Sequence, residues 1–345
     1  HFEVPWHATN MFETGNTVTV PSTVLMGLVK RMPHLKRKQK LITSFYPNYG
    51  LLAENGTRSV VFHHGHFVED LYRLMSTVRN MLFPDRKPPT MPWDIEAENF
   101  AWIDFFWSAM GRSGDVGKDI GLLYERIQDE EERDRLIMNL STSIAERYDL
   151  PGWGDRMERR LLYWALSTIV QRAAKLERLQ TEEAPLTREA EEGLWAYVEG
   201  PLREQIMVER RENMPKEVTL IFGHTHKPFS EDLNFNAYPQ WVDTYNTGGW
   251  VVDTQKPAPL HGAAMVLMDE ELNTASLRMY NQSADETDYR VRLEQASHPG
   301  EPKNQLYERL SSIDFSDDPW DTFSRLAATT VHKRAQLLRQ RIRSR

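Results

Sequence analysis

Cysteine is absent from all 345 residues. That excludes a disulfide framework, a thiolate zinc site and thiol catalysis, and it favours a reducing compartment. No run approaches the roughly 18 uninterrupted apolar residues of a membrane span, and no signal-peptide pattern opens the chain. The expected location is therefore cytoplasmic, with membrane contact at most peripheral. Excess positive charge is also missing. A formal net charge of −8 argues against general nucleic-acid binding, which needs a basic footprint. Repeats and low-complexity tracts are absent too. Apolar residues make up 40% of the chain, enough to fill a core, and the 10 tryptophans would be costly to leave in water.

Histidine is concentrated. Five of the 11 fall in two short segments, Val60-Val61-Phe62-His63-His64-Gly65-His66 and Leu220-Ile221-Phe222-Gly223-His224-Thr225-His226-Lys227-Pro228. Each is a β-branched and aromatic run closing in a Gly/His turn. A buried strand delivers ligands in this way to the carboxyl edge of an α/β sheet. Neutral imidazole suits Zn, Mn and Fe, and alternate residues of an extended turn can point into one cavity. A single histidine is more often a satisfied core or surface residue. Two His-x-His pairs at two strand ends are better explained by one metal site.

Hydrophobic periodicity places these strands in a larger pattern. Residues 1–66 are expected as mixed β structure with one basic helix, Val24–Leu35, followed by Lys36-Arg37-Lys38. Leu41–Phe45 and Ser59–Phe62 are expected strands, the second entered through an Asn55-Gly56 turn. Residues 69–82 present Leu71, Leu74, Met75, Val78 and Leu82 on one helical face. Helical patterns then cover 94–110, 117–128, 130–148, 155–180 and 187–211, with Asp155 and Thr187 as candidate N-caps. Strands return at Val218–Phe222, Trp241–Tyr245 and Trp250–Asp253, with a hairpin of Ala263–Met268 and Ala275–Tyr280. A polar stretch, 281–303, precedes helices at 304–313 and 320–343. The expected fold class is α/β. Residues 1–83 and 212–303 form the α/β domain, 84–211 a helical insertion or cap, and 304–345 the C-terminal helices and basic tail.

Phe222-Gly223-His224-Thr225-His226 resembles the last motif of the calcineurin-like metallophosphoesterases. Asn246-Thr247-Gly248 resembles the strand end that follows it, and Val60–His66 the family's preceding motif. The resemblance covers roughly 41–66 and 216–280. It implies a two-sheet sandwich flanked by helices, here partial and carrying the large helical insertion. It also implies two divalent metal ions (Mn, Fe or Zn), a phosphorylated substrate, and hydrolysis of a phosphoester or phosphoanhydride by a metal-bridging hydroxide. By resemblance His64, His224 and His226 are metal ligands, and His66 and Asn246 face the substrate. The family's Asp-x-His, Gly-Asp and Gly-Asn-His motifs are not found in the chain; Gly15-Asn16-Thr17 fails the last of them. They are expected upstream of His1, together with the proton donor, and the chain by itself is expected to hold metal weakly and to be inactive.

Weaker signals have plainer explanations. Gly111-x-x-Gly114-x-x-Gly117-Lys118 imitates a phosphate loop, but Arg112 and Asp119 stand where Gly and Ser/Thr are needed, so an interhelical loop is expected. Phe100, Trp102, Phe105, Phe106 and Trp107 form an aromatic helix suited to core packing or to an apolar substrate wall. Residues 331–345 hold six Lys/Arg and no acid, a tail that suits an anionic membrane surface or a solvated helix end. The alternative function is a catalytically inactive metal-binding or membrane-associated scaffold built on the helical block. A different His-paired metallohydrolase is disfavoured, because no His-x-His-x-Asp-His cluster is present.

Overall fold

The computed structural model describes residues 9–12, 20–32, 41–73, 76–77, 79–80, 84–85, 87–103, 184–252, 257–283, 285–298 and 300–343, with single positions between 134 and 167. The expected cap at Asp155, the glycine loop at 111–118, Phe105–Trp107 and the Lys36–Lys38 run lie outside them. So do the helices expected at 117–128, 130–148 and 155–180, apart from those single positions.

The architecture is mixed α/β. A five-stranded sheet has the order β3 (Asn48–Leu52), β4 (Arg58–His63), β5 (Glu217–Phe222), β7 (Val242–Asn246), β6 (Phe229–Leu233). The three central strands, β4, β5 and β7, are parallel, and both edge strands run antiparallel to their neighbours. A second, antiparallel sheet joins β8 (Gly262–Met268), β9 (Thr274–Asn281) and β10 (Arg292–Glu294). A two-stranded ribbon pairs β1 (Val20–Pro21) with β2 (Thr43–Ser44).

Strand alternation divides the large sheet into two apolar faces. Val61, Val218, Leu220, Phe222, Phe229 and Val242 share a core with the helical layer. The opposite face, with Val60, Ile221 and Tyr245, packs on Ala296 and on Val266 and Met268 of the second sheet. The central strands are thus apolar on both sides, as parallel strands must be when both faces are covered.

The helical layer is formed by α2 (Pro92–Ile103), α3 (Arg188–Tyr197) and α4 (Arg203–Glu209). Ile95, Leu194, Val198, Leu202 and Ile206 belong to the same core as the strands. Both ends of the 84–211 segment, expected as an insertion, are therefore the sheet's own cover. Thr187 caps α3, its hydroxyl accepting from the Ala190 N–H. The helix expected across 187–211 is interrupted by a π-helical turn, Val198–Leu202, which accommodates Pro201 without a break in direction.

Several expected elements differ. Helix α1 spans Thr23–Arg31, capped by Ser22, and so stops short of the expected end at Leu35. The helix expected at 69–82 begins as a 3-10 turn, Asp70–Arg73. No strand forms at Trp250–Val252, the described part of the third expected post-216 strand. Strand β3 falls within the stretch expected as mixed β structure, β6 was not expected, and β10 forms in the stretch expected to be polar. The C-terminal helices are α5 (Gln305–Leu310), capped by Asn304, and α6 (Trp320–Arg343). On α6, Ala328 and Val331 pack on the second sheet, and Ala335 is buried, so the apolar side of the basic tail is used inside the fold through residue 335. Among the described residues no helix is long and apolar enough to cross a membrane.

Leu220 is the middle of the central strand and fully buried. Leu220→Ala should cost about 2–5 kcal/mol, read as a lowered urea midpoint at unchanged slope.

Candidate metal centre

Parallel pairing of β4 with β5 brings the two histidine segments to the same edge of the sheet, with Phe62 opposite Ile221. The strand ends are joined by a hydrogen bond from the Gly223 N–H to the His64 carbonyl, 3.1 Å. Gly65 follows at φ 106°, where a Cβ would stand 2.5 Å from the Gly223 carbonyl oxygen. Only glycine fits that crossing. The chain then enters a 3-10 turn, His66–Val68, which buries His66 and delivers Glu69.

On the other strand end His224 and His226 both have positive φ, 78° and 60°. Non-glycine residues in this region carry strain of about 1–3 kcal/mol each, and such strain clusters at functional sites. The loop is braced from β7. Asn246 donates to Thr225 Oγ1 at 2.8 Å and to the Gly223 carbonyl at 3.4 Å, and its Oδ1 accepts from the Gly248 N–H at 2.8 Å. The expected substrate contact at Asn246 therefore sits on a buried side chain whose amide is spent on holding the His224–His226 turn.

The imidazoles converge. The ring of His64 lies 5.0 Å from that of His224 and 5.6 Å from that of His66, and His63 lies 4.8 Å from His66. His64 is the exposed member, at the mouth of the cluster. The ring of His226 packs against Gly249, where a Cβ would meet it at 2.4 Å, and it is near enough for its charge to bear on His64. His66, expected at the substrate, is instead buried behind His64.

Two carboxylates absent from the sequence-based site complete the cluster. Glu69 Oε1 is 3.1 Å from His224 Nε2, and Glu96 Oε1, from α2, is 3.2 Å from His66 Nε2. All four side chains are at most 7% exposed. Glu96 also accepts from Tyr72 at 2.7 Å and Tyr46 at 2.5 Å. A carboxylate on one ring nitrogen holds the proton there and leaves the other nitrogen with a lone pair, the arrangement found behind metal-bound histidines. Glu69 follows His66 by three residues and was within reach of motif reading. Glu96 was not, because only the docking of α2 brings it in.

The unpaired rings are held neutral. Burial first, and then the charges of His66, His64 and His224, push His63 well below the usual imidazole range. Packing among the other rings does the same to His64, where burial leads and His224, His66 and His226 follow. His63 Nδ1 accepts from the Gly65 N–H at 2.7 Å, and its buried Nε2 has no hydrogen-bond partner among the described residues. Ligand atoms of His63, His66 and Glu96 all lie within 4.8 Å of one another, a span one cation can bridge. The tyrosines above Glu96 are raised by burial and by its charge, so they remain protonated donors.

Comparison with family models, curated proteins and solved structures returned no match for this chain.

Replacing Asn246 with Ala leaves the Thr225 hydroxyl and the Gly248 N–H without their buried partner. The expected cost is about 1–3 kcal/mol, measurable as a lowered midpoint in urea unfolding without change in secondary-structure content.

Proposed function

We propose that the chain contributes His64, His224 and His226 to the metal centre of a metal-dependent phosphoester or phosphoanhydride hydrolase. The observation that carries this reading is the meeting of His64 and His224 at the carboxyl edge of two adjacent parallel strands, with Glu69 fixed behind His224. A two-sheet layering flanked by helices and the Asn246 brace under the Gly-His-x-His turn support a metallophosphoesterase-like fold.

The donor set fits divalent metal on its own chemistry. Two imidazoles, His63 and His64, are held neutral, two others are oriented by carboxylates, and one buried ring nitrogen lacks a partner among the described residues. Imidazole with carboxylate suits Mn, Fe or Zn. Such a metal would supply a Lewis acid for phosphoryl oxygens and an activated water. The chain's own residues hold the ring orientations, and Glu69 keeps the His224 proton on Nε2. His66 with Glu96 forms the floor beneath His64. His64 stands at the solvent side, where a phosphorylated substrate would arrive.

The test is hydrolysis of p-nitrophenyl phosphate and its bis-ester by the full gene product, with added Mn²⁺ or Zn²⁺ and with chelator. Turnover should need metal. His224→Ala should lower kcat/KM by roughly 100-fold or more, since a metal contributes several kcal/mol to the transition state. Glu69→Gln should cost about 10- to 100-fold in metal affinity or activity. Turnover indifferent to chelator and to both substitutions would overturn the reading. Metal binding without turnover of any phosphoester would make the centre structural and favour the scaffold.

A further inference from the structure

The opposite edge of the same sheet carries a second group of charged residues. Asp232 on β6 and Asp243 on β7 are direct cross-strand partners, so their side chains stand on one face. Like charges directly opposite each other destabilise a strand pair. Glu301 joins them, and His298 Nδ1 lies 2.5 Å from Asp232 Oδ2 and 3.4 Å from Glu301 Oε2. The side chain of Asp232 is 3% exposed, and its buried Oδ1 has no hydrogen-bond partner among the described residues. Ligand atoms of Asp232, His298 and Glu301 all fall within 4.8 Å of one another. A cavity of about 760 Å³ opens here, lined in part by Asp232, Asp243, His298, Glu301 and Trp241.

Among the described residues, neighbouring cations make no ion pair with the group, although the Arg58 charge is near enough to bear on Asp243. Arg58 is committed to Glu217 at 2.5 Å and to Asn273 at 2.9 Å. Lys303 donates to Ser297 and lies over the Tyr307 ring. One imidazole therefore faces three carboxylates. A pairing of His298 with Asp232 alone leaves Asp232 Oδ1 and Asp243 unaccounted for.

We infer that Asp232, His298 and Glu301 form a binding site for one divalent cation, separate from the histidine centre, with Asp243 adding negative charge beside it. Two carboxylates and one imidazole suit a Mn²⁺- or Zn²⁺-type ion. It would bridge β6 to the 298–301 segment, converting cross-strand repulsion into a tie between the large sheet and the chain that follows β10. Trp241 stacks on the His298 ring at 4.9 Å and fixes its orientation.

The probe is Mn²⁺. Its binding is counted by calorimetry in His64→Gln/His66→Gln/His224→Gln, which removes ligands from both parts of the histidine centre, including the His63–His66–Glu96 group, while keeping a donor for Glu69 and for Glu96. One equivalent should bind and raise the unfolding temperature. Loss even of outer-shell partners weakens metal sites about 10- to 100-fold, so Asp232→Asn, Glu301→Gln and His298→Ala should each weaken binding at least about tenfold. Glu301 and His298 are half-exposed, and their replacement does not threaten the core. Absence of saturable binding in the parent, or unchanged affinity in any of the three variants, overturns the assignment.

Discussion

The parallel register of β4 and β5 is the constraint on which everything else rests. It fixes Phe62 beside Ile221, and therefore fixes where the two chains leave the sheet. The strands are separated by roughly 150 residues of sequence, and closing a loop of that length costs about 4 kcal/mol by the logarithmic chain-length term alone. The return comes from burial on two faces. Val61, Leu220 and Phe222 pack under helices, while Val60 and Ile221 pack on the second sheet. A one-residue slip would exchange the faces. It would also separate His64 from His224, since the hydrogen bond from Gly223 to the His64 carbonyl belongs to this register.

The same pairing explains why polar groups can be buried so densely at one edge. Five histidines and two glutamates in a small volume would be expensive if each were charged and alone. They are not alone. Glu69 sits on His224 and Glu96 on His66, Tyr72 donates to the same Glu96 oxygen as His66, and Tyr46 donates to the other. The network joins β4, β5, the 3-10 turn after Gly65 and α2. Removing one partner strands the other in a low-dielectric setting, so the cluster holds as a unit. The strained φ values at His224 and His226 persist because Asn246 and the Gly249 backbone leave the turn no other conformation.

Much of this was legible in the sequence, for definite reasons. Runs such as Val218–Phe222 and Ala275–Tyr280 are long and apolar enough to be strands in almost any context, and Thr187 and Asn304 stand at real helix starts. Two Gly/His turns after such runs pointed to one edge. Short strands escaped notice because their alternation is carried by polar residues. Phe229–Leu233 reads as Phe-Ser-Glu-Asp-Leu, and its pairing is set by β7 rather than by its own pattern. Trp250–Val252 failed as a strand despite its aromatic and β-branched residues. Propensity there has no ladder to join among the described residues. Asn246 was visible as a motif residue, but its hydrogen bonds to the turn were not. Glu96 carries no local mark at all, because its role depends on how α2 docks.

The two edges of the large sheet solve opposite electrostatic problems. At the carboxyl edge two imidazoles are paired with carboxylates, and His63 and His64 are held neutral, so burial is compensated within the protein. At the amino edge Asp232 and Asp243 are forced opposite each other by the β6–β7 register, and the covering segment adds Glu301 with a single histidine. Strand pairing could have placed a neutral or basic residue at either position without disturbing the apolar contacts of Val242 and Tyr245, which lie on other positions of β7. The acids are therefore not a by-product of packing. Their negative charge, set against desolvation and mutual repulsion, is what the proposed cation would offset.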